Sequence, residues 1–128
     1  MSSVAQKLGI KPDSRIAVDG MPVDTVVTLL GDLAEGVQVT PRTAGAVDQM
    51  IVVADGLSDL ALKLPGVWDE IAGGGRLWVW YRKGAKSRGS EVALHRDTLQ
   101  ALLAEHGMDG VTLISVDDTW SSMRVREL

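Results

Sequence analysis

The chain has no cysteine. That excludes a disulfide, a thiolate nucleophile and a cysteine-based zinc site. No apolar run approaches the ~20 residues needed to span a bilayer, and no charged-then-apolar leader opens the chain. A cytoplasmic location without a membrane partner is therefore expected. The glycine-rich dinucleotide fingerprint is absent, and so is the phosphate-loop motif. No serine sits in a nucleophile elbow, which leaves nucleophilic catalysis without support. The two histidines, His95 and His106, have no convincing carboxylate cluster around them, so no metal site is expected.

What is present is an ordinary globular composition, 45% hydrophobic and 23% charged over 128 residues. This is one domain, able to bury roughly two thirds of its unfolded surface. The net charge of −4 argues against a nucleic-acid partner. The charge is unevenly spread. Between Arg76 and Arg96 six cations face one acid, whereas the rest of the chain holds seven cations and sixteen acids. That basic segment is the main functional clue in the composition.

The organising stretch runs from Val47 to Tyr81. Leu77-Trp78-Val79-Trp80-Tyr81 is a continuous apolar run after the glycine stop Gly73-Gly74-Gly75, and Met50 to Ala54 is another. Short unbroken apolar runs mark strands covered on both faces, as in the middle of a parallel sheet. Leu57, Leu60, Leu64, Val67, Trp68 and Ile71 lie between them at helical spacing. The segment is a βαβ unit, expected to be right-handed. Pro65 would cost ~3 kcal/mol inside a helix, so two short helices are expected, the second over Val67–Ala72.

Elsewhere Ser3 is placed to cap a short helix ending at Gly9, and Ile16-Ala17-Val18 reads as a buried strand. Asp24 is expected to cap a helix from Thr25 to Leu30, closed by Gly31. Val37 to Thr40 alternates like an edge strand and stops at Pro41, and Arg42 to Ala46 reads only as connection. Asp97 with Gln100 forms a capping-box-like start to a helix ending at Gly107. Val111–Val116 and Trp120–Arg126 are strands joined by a tight Asp117-Asp118 turn. The fold class is α/β: a three-layer Rossmann-like sandwich, with a mostly parallel six-stranded sheet and an antiparallel C-terminal hairpin strand.

Lys11-Pro12-Asp13-Ser14-Arg15-Ile16-Ala17-Val18 is similar to the lead-in to the first strand of Rossmann-like methyltransferases. Ile71-Ala72-Gly73-Gly74-Gly75-Arg76-Leu77-Trp78-Val79 resembles their helix-to-strand passage, and the closing hairpin is also theirs. Together with Arg96-Asp97-Thr98-Leu99 and Val116-Asp117-Asp118-Thr119-Trp120, these motifs resemble a family of small bacterial domains of unknown function. That family carries a shortened, methyltransferase-like version of the fold, and the match implies that one strand and one helix are missing after Thr40. Two contacts to S-adenosylmethionine implied by the methyltransferase resemblance are absent. The loop after the first strand, Asp19-Gly20-Met21-Pro22, has one glycine followed by a proline without an N–H donor. The second strand ends in Thr40-Pro41 rather than an acid. No cofactor is therefore expected, and S-adenosylmethionine is the alternative.

Ligands of open parallel sheets bind beyond the carboxyl ends of the strands. Asp19, Gly20, Asp55, Asp117, Asp118 and Trp120 should gather on that rim. An anion site is expected from Arg82, Lys83, Lys86, Arg88, His95 and Arg96, with pairing of these cations to the rim acids as the plainer reading. His95 is a candidate general base against a surface capping role, and His106 suits a helix C-terminus. Trp78 and Trp80 should share one buried face. The function expected is a non-enzymatic module acting through a protein partner or homodimer. The exposed strand Val37–Thr40 or the hairpin strand would be its docking edge. The alternatives are a small-anion binder and a divergent S-adenosylmethionine-dependent methyltransferase.

Overall fold

The computed structural model describes residues 3–43, 45–83 and 96–128. Its centre is a six-stranded sheet in the order β2-β1-β3-β4-β6-β5. The strands are β1 Arg15–Asp19, β2 Gln38–Pro41, β3 Val47–Val53, β4 Ile71–Arg82, β5 Met108–Ser115 and β6 Trp120–Glu127. The pairs β1/β2, β1/β3 and β3/β4 are parallel. β6 is antiparallel to both β4 and β5, so five strands share a direction and β6 alone is reversed.

Helices α1 (Val4–Lys7), α2 (Val23–Leu30), α3 (Leu57–Lys63) and α4 (Arg96–Glu105) complete the layers. Leu8 and the α2 residues Val26 and Leu30 pack with Ile16, Ile51, Trp78 and Trp80 on one face. Leu60 of α3 and Leu99 and Leu103 of α4 pack with Met50, Val52, Leu77 and Val79 on the other. The period-2 geometry of strands sends alternate residues of β3 and β4 into these two cores, which is why both runs are apolar throughout. The expected three-layer sandwich is therefore found, and Trp78 and Trp80 share a face as the sequence implies. No helix among the described residues is long and apolar enough to cross a membrane.

Ser3 does cap α1, within a full capping box closed by Gln6. Four other local expectations need correction. α2 starts at Val23, with Pro22 rather than Asp24 at the N-cap; Asp24 lies in the first turn, where a carboxylate suits the helix dipole. The second crossover helix is a single 3-10 turn, Val67–Glu70, because β4 already begins at Ile71. The three glycines thus lie inside β4. Val47 pairs with Ile71 and Gln49 with Arg76, so residues 72–75 bulge out of the ladder. Finally, the Gln100 amide does not close a capping box; it clamps both the N–H and the carbonyl of Gly110 on β5.

Pro41 of β2 is level with Val18 of β1, whereas Gln49 of β3 is level with Ile16. Residues 42–46 alone carry the chain from β2 back to the start of β3. A parallel crossover normally takes a dozen or more residues. β2 is a sheet edge, as the alternation of Val37 to Thr40 implies. The other edge is β5. The final hairpin strand β6, expected to be exposed for pairing, is interior between β4 and β5.

Candidate functional site at the carboxyl-end rim

Asp19 ends β1, and its Oδ2 accepts from Arg42 Nη1 at 3.1 Å. Arg42 reads in sequence as mere connection. Its guanidinium nevertheless forks onto Glu70, with Nε to Oε1 at 3.0 Å and Nη2 to Oε2 at 2.6 Å. Its Nη1 also donates to the Lys63 carbonyl at 2.6 Å. One side chain thus ties the ends of β1 and β2 to α3 and to the 3-10 turn. The hydrogen bonds and charge of Glu70, joined by Asp19, hold the Arg42 guanidinium above its ordinary value, against the opposing cost of burial. Arg42 in turn holds the Glu70 carboxyl below the usual carboxylate range.

Lys63 Nζ donates to the Val53 carbonyl at 2.9 Å and to Asp59 Oδ2 at 2.7 Å. Burial pushes the Asp59 carboxyl up, but Lys63 and the Asp55 amide outweigh it, and the net shift is downward. Gly20 has φ +102°, a conformation that disfavours any side chain, and a Cβ there would strike the Val53 carbonyl and lie 2.6 Å from Lys63 Nζ. Its lack of a side chain lets the β1 loop settle against the end of β3.

The other half of the rim is more open. Asp55 is 79% exposed at its side chain and lies 3.9 Å from Arg82 Nε. The Arg82 guanidinium also stacks 4.8 Å above the Trp120 ring, a cation–π contact. Lys83 Nζ donates to Ser115 Oγ at 2.6 Å. Asp117 Oδ1 accepts from the amides of Thr119 and Trp120, both at 2.8 Å, which makes it a turn-closing residue. Asp118 is exposed beside it.

The rim therefore brings together Asp19, Gly20, Asp55, Arg82 and Trp120, with Asp19 paired to Arg42 rather than to the basic loop. Lys86, Arg88 and His95 lie outside the described residues, and of Arg96 only its place at the start of α4 is described. His106 Nδ1 lies 3.0 Å from the Leu102 carbonyl in the last turn of α4, the structural role read from sequence. Among the described residues no group of three or more His, Asp or Glu could hold a metal. Sequence reasoning missed Arg42, Lys63 and Glu70. The available signal was positional, because a cation directly after the Pro41 strand end belongs on the rim.

No protein-family model matches the chain, and no curated protein matches it. Solved structures do. A SAM-dependent methyltransferase from Aquifex aeolicus superposes with TM-score 0.66 at 11% identity, over 95% of this chain and 86% of that one. The ribosomal protein L11 methylase of Lactobacillus delbrueckii subsp. bulgaricus gives 0.58 at 11% identity, over 95% and 73%. The DhpI–SAH complex gives 0.61 at 12%, over 97% and 82%. The chain has the Rossmann-like fold of the methyltransferases. This set of likenesses runs against the expected non-enzymatic, partner-binding module with an anion-binding rim, and favours the methyltransferase alternative.

Proposed function

We propose that this domain binds S-adenosylmethionine at the carboxyl-end rim and transfers its methyl group to an acceptor. The observation that carries the reading is the superposition of nearly the whole chain on a SAM-dependent methyltransferase. An adenosyl amino acid asks three things of a site: an acceptor for ribose hydroxyls or an ammonium, a donor for a carboxylate, and a flat apolar surface for the base. Asp55 offers an exposed carboxylate, and Arg82 a guanidinium with part of its fork open, whose flat outer face is backed by the Trp120 ring. The end of β2 departs from the methyltransferase pattern, because it presents Arg42 where an acid would hold the ribose. Asp55, after β3, takes that acceptor role in this reading, and Asp19 contributes the oxygen that Arg42 leaves free. The cofactor would supply an activated methyl group, and the acceptor supplies the nucleophile.

Calorimetric titration of the intact chain with S-adenosylhomocysteine tests the reading. One-to-one binding is expected, weakened about tenfold or more by Asp55→Asn and by Arg82→Ala, the scale of one charge-assisted hydrogen bond. No heat at high ligand concentration would overturn it. Labelled S-adenosylmethionine then reports the transfer step.

A further inference from the structure

A second cleft lies at the opposite end of the sheet, where β1 and β3 begin. It has a volume of about 220 Å³, and its lining includes Lys11, Asp48, Gln49, Gly73, Gly74 and Arg76. Packing explains two of the glycines around it. A Cβ on Gly9 would lie 2.6 Å from Arg76 Nη1, and one on Gly75 would lie 2.5 Å from the Asp48 carbonyl oxygen. Gly74 needs its φ of +83°. Gly73 has neither constraint, and a Cβ there would meet nothing within 4 Å. Its bare backbone leaves the mouth of the cleft open.

Among the described residues the cations of this cleft form no ion pair. Arg76 is half-buried and donates to the Leu8 carbonyl at 3.2 Å, leaving most of its five donors for other partners. Among the described residues the ion pairs involve neither Arg76 nor Lys11. The acid in the lining, Asp48, has Oδ2 committed to the Arg15 amide at 2.8 Å. A half-buried guanidinium without an anion is a costly arrangement unless an anion arrives. Its planar fork suits phosphate oxygens, and a flexible lysine adds a point charge.

We propose that this cleft binds the phosphate group of a small phosphorylated molecule, held by Arg76 and Lys11 over the open glycine bulge. The site is separate from the rim and independent of the methyltransferase reading. Asp48 lowers the local positive charge, so the expected affinity for inorganic phosphate alone is roughly millimolar.

The test is an NMR titration of the intact chain with inorganic phosphate, against sodium chloride at matched ionic strength. Saturable shifts of the Lys11, Gly73 and Gly74 amides are expected, with affinity about tenfold weaker in Lys11→Ala and in Arg76→Gln. Titration of the same variants with S-adenosylhomocysteine should match the parent, which separates this cleft from the rim. Lys11 is exposed, so Lys11→Ala decides the matter alone if Arg76→Gln fails to fold. Shifts that do not saturate, that chloride reproduces, or that saturate equally in Lys11→Ala overturn the proposal.

Discussion

From Met50 to Val53 and from Leu77 to Trp80 every side chain is buried, with exposure of 3% or less. At the rim Arg42, Asp19 and Glu70 keep 15%, 29% and 20% of their side-chain surface in contact with solvent. The middle of the sheet is held by apolar burial, which is non-directional and grows with area. The rim is held by charge-assisted hydrogen bonds, whose worth depends on geometry and on residual solvent. The first kind of contact tolerates small shifts of the backbone. The second fixes the ends of β1, β2 and α3 in one arrangement. This sheet is stabilised at its centre and shaped at its rim.

Trp78→Ala should give the largest effect, about 3–5 kcal/mol of unfolding free energy by urea titration. It removes the largest class of core side chain and also leaves Gln49 Oε1 without the indole donor that now lies at 2.7 Å. A loss under about 1 kcal/mol would mean that the centre is not close-packed. Arg42→Ala is expected to cost about 1–2 kcal/mol, between the values for exposed and buried pairs. A loss as large as that of Trp78→Ala would erase the distinction between centre and rim.

Acid sharpens the same contrast. The folded-state pKa of Glu70 lies below its ordinary 4.5, so its stabilisation is present above that pH and is lost as pH falls through and below it. Unfolding midpoints measured from pH 6 to pH 3 should drop less in Arg42→Gln than in the parent. Equal slopes would show that the Arg42–Glu70 pair contributes nothing to folding. Asp59, pushed up by burial but lowered on balance by Lys63 and the Asp55 amide, keeps its own acid dependence in both proteins.

The smallest effect is expected at Ser122. Its hydroxyl is fully buried opposite Trp80, and among the described residues neither Ser122 Oγ nor Trp80 Nε1 has a partner. Removing an unsatisfied buried hydroxyl is nearly neutral or stabilising, so Ser122→Ala should change stability by no more than about 0.5 kcal/mol, or raise it. A loss above 1 kcal/mol would mean that the hydroxyl is bonded in solution, through a trapped water.

The sequence by itself determined the α/β class, the buried β3–β4 pair, the Ser3 cap and the reversed final strand. Each follows from a local rule: side-chain periodicity, a capping oxygen or a tight turn. It also placed Asp19, Asp55, Arg82 and Trp120 on one rim, because parallel strands present their carboxyl ends together. Only the tertiary structure decided that Arg42 spans 28 residues of sequence to reach Glu70. The same holds for the insertion of β6 between β4 and β5, and for the glycines of 73–75 as a bulge within β4 rather than a stop before it. Those outcomes depend on register and on which chain segments meet in space. Local propensity carries no information about either, since a glycine or an arginine fits a loop, a bulge or an ion pair equally well until its neighbours are fixed.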